Sequence, residues 1–271
     1  MSESEDLIKK VLQEVMKRAG AAPAAATSAP PEAKSIPAIA SDLTHLTEYI
    51  GVADGDTQGI VIANLDPAIH ALFGFDPKYR SIGIIGGRTG AGPQLMAADE
   101  AIKATNTEVI LIEMPRDTKG GAGHGNLIIF GAEDVSDARR AVEVTLESVH
   151  KYFGDVYANS QGYTENQYSA RASKVLSKAF GVPEGKAFGL ILGAPAVIGM
   201  LMIDTAVKAA DVEVLGLGTP KKNTSFSNEV FIWVTGDSGA VRQAVISGRE
   251  VGNKLLCAWG EKPQSAGTPY I

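Results

Sequence analysis

Short apolar runs and helix-period apolar stripes alternate along most of this chain. Residues 58–65 (Gln-Gly-Ile-Val-Ile-Ala-Asn-Leu) predict a strand, and Pro67–Leu72 a short helix. Residues 82–86 predict a second strand, 93–105 a helix, 108–113 and 126–131 two further strands, and 135–152 a long helix. The order then repeats. A helix is expected around 168–179, a strand at 187–193, a helix at 199–210, strands at 212–217 and 229–235, and a helix at 238–252. Strand, helix, strand, strand, helix predicts a split α/β (α+β) sandwich with a mostly antiparallel sheet, not the regular βαβ alternation of a dinucleotide fold.

The repetition extends to residue identity. Asp99-Glu-Ala-Ile-Lys103 returns as Asp204-Thr-Ala-Val-Lys208, and Glu108-Val109 as Glu213-Val214, all at a step of 105 residues. Leu72-Phe73-Gly74-Phe75 matches Ala179-Phe180-Gly181-Val182, and Ile82-Gly83-Ile84-Ile85-Gly86 matches Phe188-Gly189-Leu190-Ile191-Leu192. Each unit closes on Asp134 or Asp237 followed by a helix with Arg139 or Arg242. So long a period is not a solenoid repeat, whose units run to roughly 20–50 residues. It predicts two fused copies of one domain, at 47–154 and 155–271. A fused pair with pseudo-twofold character suits assembly into a ring.

The first residues form a separate piece. Leu7, Ile8, Val11, Leu12 and Val15, with Met16, are spaced by three and four and share one helical face. Ser4 can cap this helix, Glu5 and Asp6 lie in its first turn and Lys17 and Arg18 in its last, as the helix dipole favours. An amphipathic helix over 1–19 is expected, followed by an Ala/Pro linker over 20–46. A stripe on so short a helix needs a partner. It either docks on its own protein or recruits another across the linker.

Composition narrows the function. The chain has 271 residues, net charge −6 and a pI near 5.3, with no basic face expected for nucleic acid or an anionic membrane. The single cysteine, Cys257, forms no internal disulfide, so a reducing cytosol is expected. Neither a membrane-spanning run nor a secretory signal is expected.

Candidate chemistry is sparse. Gly86-Gly87-Arg88-Thr89-Gly90-Ala91-Gly92 lies between a strand and a helix, as phosphate-binding turns do, but fits no nucleotide fingerprint. It supports a secondary reading as a nucleotide- or small-ligand-binding enzyme, against a tight packed turn. The run Arg116-Asp117-Thr118-Lys119-Gly120-Gly121-Ala122-Gly123-His124 and its counterpart Lys221-Lys222-Asn223-Thr224-Ser225-Phe226-Ser227 join neighbouring strands at one end of the sheet. They read equally as surface loops or as the polar lining of an opening made by assembly. The histidines show no metal spacing, Cys257 is expected as a buried, inert thiol in a C-terminal strand, and no metal or cofactor is expected. Asp54, Asp56 and Asp66 read as turn residues.

The segments Gly189-Leu-Ile-Leu-Gly193, Asp204-Thr-Ala-Val-Lys208-Ala-Ala and Gly236-Asp237-Ser-Gly-Ala240 resemble the bacterial microcompartment (BMC) shell domain, and the first copy carries the same signals. Residues 47–271 are similar to a tandem, circularly permuted BMC shell protein of the trimeric kind found in propanediol-utilisation compartments. Arg88-Thr-Gly-Ala-Gly-Pro93, the Pro115–Gly125 run and the final Pro269-Tyr-Ile add to this resemblance.

The resemblance implies a non-enzymatic shell tile of three chains in the cytoplasm. Its partners would be itself, other shell proteins, encapsulated enzymes through the N-terminal helix, and small polar metabolites. It implies pores passing a polyol, such as 1,2-propanediol or glycerol, while an aldehyde intermediate is retained. It also implies that Lys103 and Lys208 lie at the tile edge, where their stems pack and their heads meet carbonyls across the seam.

Overall fold

The fold is that of a computed structural model, which describes residues 46–115, 125–223 and 227–271. In the first copy the elements are β1 (Tyr49–Ala53), β2 (Thr57–Ile62), α1 (Pro67–Phe73), β3 (Ser81–Gly87), α2 (Gly92–Lys103), β4 (Glu108–Glu113), β5 (Asn126–Ala132) and α3 (Val135–Tyr152). The second has β6 (Val156–Asn159), β7 (Gly162–Ser169), α4 (Lys174–Phe180), β8 (Ala187–Ala194), α5 (Ala196–Ala209), β9 (Val212–Gly218), β10 (Val230–Gly236) and α6 (Ser238–Leu256). A 3-10 turn (Cys257–Trp259) and the short β11 (Gln264–Ser265) follow.

Each copy builds its own sheet in the same order. The first runs β1-β2-β3-β5-β4; the second runs β6-β7-β8-β10-β9, with β11 added beside β6. Every strand pair is antiparallel. The copies share fine detail as well. The pairing of β4 with β5 shifts register between Val109 and Leu111, and that of β9 with β10 between Val214 and Gly216. The skipped residues, Ile110 and Leu215, are again 105 apart. Both α1 and α4 end on a left-handed glycine, Gly74 at φ 68° and Gly181 at φ 69°, a conformation that glycine adopts without a Cβ penalty.

Alternation along the strands buries both faces of each sheet. On one face of the first sheet, Ile85, Ile128 and Phe130 pack against Leu95, Ala98 and Ala101 of α2 and Ala141 and Val142 of α3. On the other, Ile82 and Ile129 pack with Leu65, Phe75 and Ile69. In the second sheet, Ile191, Ile232 and Val234 meet Met202 and Ala206 of α5 and Val241 and Val245 of α6. The opposite face of β8, with Phe188 and Leu190, packs with Leu176 of α4 and with Met96, Ala97 and Tyr152 of the first copy. All eight residues of β8 are therefore buried.

Two expectations need correction. No helix begins near 168: residues 162–169 form β7, and α4 starts only at Lys174. Thr164, Glu165, Asn166 and Gln167 are polar yet buried, so this strand lacks an apolar signature. Gln167 Nε2 donates to the Tyr152 carbonyl at 3.0 Å and Asn166 N–H to the Asp155 carbonyl at 3.1 Å, which offsets the desolvation of these groups. Cys257 lies in no strand and is exposed: Leu255 and Leu256 belong to α6, Leu256 facing the core, and the cysteine follows in the 3-10 turn.

Candidate functional site

The two copies meet at a junction built from α2, α3, α4 and β8. Asp99 of α2 is buried, and its carboxylate crosses to the start of α4. It accepts from the N–H groups of Ser173 (3.0 Å) and Leu176 (3.2 Å) and from the Ser173 hydroxyl (2.5 Å). Ser173 is the N-cap residue of α4 but makes no cap bond of its own. Asp99 thus satisfies orphan N–H groups of a helix in the other copy, and its charge suits the positive helix end. Val175 and Leu176, the first inward residues of α4, are fully buried, each worth about 1.5–3 kcal/mol of apolar burial. Lys178 Nζ donates to the carbonyl of the bulged Ile110 at 3.0 Å.

The pseudo-equivalent surfaces are bare. On α5, Met200 is 54% and Leu201 43% exposed, where their counterparts Leu95 and Met96 on α2 are 0% and 1% exposed. On β9, Val214 is 47% exposed against 8% for Val109. On α1, Leu72 and Phe73 are exposed, while the equivalent Ala179 and Phe180 pack at the junction. One chain therefore carries one closed junction and, at opposite ends of the duplication, leaves the two corresponding faces uncovered.

Lys103 and Lys208 lie in the last turns of the paired helices α2 and α5. Lys103 Nζ lies 2.9 Å from Asp99 and 3.2 Å from Glu100, and the side chain is half-buried. Lys208 Nζ lies 2.7 Å from Asp204 and is exposed. Arg171, which no sequence signal singled out, shares an open cavity of about 500 Å³ with Lys103, Ser173 and Glu184. Nor did the sequence point to Asp99, although its i,i+4 spacing to Lys103 was a usable signal.

Of the loop residues expected to line an opening, Arg116, Asp117, Lys119, Gly120, Gly121, His124 and Ser225 lie outside the described residues. So do Leu7, Ile8, Val11, Leu12 and Val15 of the N-terminal stripe. Lys221 and Asn223 are exposed; Asn223 adopts φ 68°, and its Nδ2 donates to the Leu217 carbonyl at 3.1 Å. Ser227 is half-buried beside Tyr163, whose hydroxyl donates to Glu229. Burial, then the Glu229 charge, push the Tyr163 hydroxyl well above the usual tyrosine range. Both loops connect antiparallel neighbours, β4 to β5 and β9 to β10.

The glycine turn has an internal task. Gly90 takes φ 73°, and Asn126 Nδ2 donates to its carbonyl at 3.3 Å. Gln94 Nε2 donates to Thr57 Oγ1 at 2.9 Å and to the Thr89 carbonyl at 3.2 Å. A Cβ on Gly92 would lie 1.9 Å from Glu165 Oε1, so a carboxylate of the second copy already fills the space at the start of α2. Among the described residues, no His, Cys, Asp or Glu cluster could hold a metal, and no helix is long and apolar enough to cross a membrane.

Comparison with known proteins gives a consistent answer. The BMC domain family matches residues 81–161 and 187–260. The chain is 52% identical to the bacterial microcompartment shell protein PduB of Citrobacter freundii over 277 residues, 99% of each. A crystal structure of a trimeric bacterial microcompartment shell protein PduB is similar at TM-score 0.78 and 51% identity, covering 83% of this chain and 100% of that one. EtuB from Clostridium kluyveri is similar at TM-score 0.79 and 52% identity, covering 83% and 99%.

Proposed function

The chain belongs to the BMC domain family, and we propose that it closes into a homotrimeric, pseudohexameric tile whose openings pass small polar metabolites. It is a structural shell protein of a bacterial microcompartment in the cytoplasm, not an enzyme, as its 52% identical relatives are shell proteins. The observation that carries the trimer is the mismatch in exposure between the copies. Met200, Leu201, Leu72 and Phe73 are bare where their counterparts are packed, so a second copy completes what the internal junction already demonstrates. A contact that joins unlike faces repeats head to tail and gives a ring when its rotation closes. The trimeric PduB relative supports closure at three chains.

Transport follows from assembly. Loops 116–124 and 221–227 line the openings, presenting cations, hydroxyls and backbone amides to a polyol such as 1,2-propanediol or glycerol. An aldehyde intermediate, with fewer hydroxyl donors than the polyol, is held back by the polar lining. Lys103 and Lys208 join tiles edge to edge, and the amphipathic segment Leu7–Val15 anchors encapsulated enzymes.

Light scattering on a sizing column tests the tile. One chain is 28.3 kDa, so a species of three times that mass is expected. A stable monomer or dimer overturns the reading.

A further inference from the structure

The closed junction and the open one differ in charge where the short helix starts: Ser173 stands in one and Asp66 in the other. At the junction within the chain, Ser173 begins α4 and gives both its N–H and its hydroxyl to Asp99. At the corresponding place, α1 begins at Asp66, which supplies its own cap: Asp66 Oδ1 accepts from the Ala68 N–H at 2.8 Å. The residue that corresponds to Asp99 is Asp204, exposed on α5 and 2.7 Å from Lys208. The open faces thus carry a carboxylate on each side where the closed junction pairs a carboxylate with a hydroxyl.

Resting on the trimeric reading above, we propose that each seam between protomers sets Asp66 of the partner subunit against Asp204, with Lys208 as the cation the two share. Asp66 of the partner subunit takes the place that Ser173 holds within the chain. The pair cannot form the hydroxyl bond of Ser173, because an ionised carboxylate side chain offers no donor. Two carboxylates in one site repel, and one ammonium group offsets only part of the charge. The seam between protomers is therefore weaker than the junction within the chain. The compensating gain is that α1 is capped in the free protomer, whereas α4 borrows its cap from a face that is always present. Such a seam yields a tile that forms late and reversibly from protomers already folded.

The test uses the full chain, with Asp66→Ser and Asp66→Asn compared with the unmodified protein by sedimentation equilibrium across a dilution series. Serine and asparagine both keep a good N-cap, so the protomer fold is retained. The expected result is a trimer that persists to concentrations about tenfold lower or more in both variants. A trimer whose dissociation is unchanged or easier in both variants overturns the acidic seam while leaving the trimer standing. A chain that is monomeric at every concentration overturns the trimer and this inference with it. Ser173→Asp in the closed junction is expected to lower the thermal midpoint of the protomer, and an unchanged midpoint counts against the equivalence of the two seams.

Discussion

Glu165 of β7 lies directly over Gly92 of α2, its Oε1 filling the space that a Cβ on the glycine would need. The contact joins the two copies at the first residue of a helix, and it explains the glycine without any bound anion. Gly92→Ala should therefore destabilise the protomer by about 1–3 kcal/mol, as overpacking does. Chemical denaturation of the variant gives the number. A panel of nucleotides should leave the thermal midpoint of the unmodified protein in place; a concentration-dependent rise would revive the turn as a ligand site.

Paired substitutions separate the two seams. Leu95→Glu puts a charge into the closed junction and should prevent folding, a cost of several kcal/mol. Met200→Glu puts the same charge on the open face. It should leave the protomer within about 0.5 kcal/mol of normal stability and abolish the trimer. Light scattering and thermal melts, run on both, decide this; a trimeric Met200→Glu protein would rule out α5 as an assembly face.

Joint Lys103→Ala and Lys208→Ala substitution should abolish extended sheets in electron micrographs. It should leave trimers in the same sample, provided the protein is well above its dissociation range. Sheets of normal extent would remove both lysines from the tile edge.

Burial raises the hydroxyls of Tyr152, Tyr163 and Tyr270 above the ordinary value of about 10. The folded state thus favours the neutral phenol. That contribution is fully present below pH about 10 and is lost as pH climbs toward the folded-state values. These tyrosines should ionise only as the protein unfolds, so their tyrosinate absorbance should rise together with the loss of circular dichroism. Ionisation of all seven tyrosines near the ordinary value, with the fold intact, would contradict this.

Removal of residues 1–18 should leave trimers and sheets unchanged and reduce the enzyme activity that co-purifies with isolated compartments. Full retention of cargo would argue against an anchoring segment.

Much of this architecture was legible because the same packing problem is solved twice. The strand at 108–113 and the helix at 135–152 match their predicted spans, since each has one apolar face and a clear start. The strand β7 was hidden because its buried side chains include Thr164, Glu165, Asn166 and Gln167, and the amides of Asn166 and Gln167 donate to the Asp155 and Tyr152 carbonyls outside the strand. Cys257 was misplaced because the apolar Leu255 and Leu256 fit a strand run as well as a helix end. The functional asymmetry was the least legible part. Lys103 and Lys208 look alike in sequence, yet only Lys103 sits beside a buried carboxylate engaged across the junction. Neither residue's spacing reveals which copy of a repeated surface the fold covers.

The covalent link between the copies also sets how the tile responds to dilution. Half of the junctions around a ring of three such chains lie within a chain, at an effective concentration fixed by the tether. Those junctions stay closed however dilute the cell extract, so only the remaining half must be found by diffusion. A tile made of six separate domains would lose every contact as protein is diluted. This one falls back to protomers that keep a finished fold and a ready-made template for the next encounter.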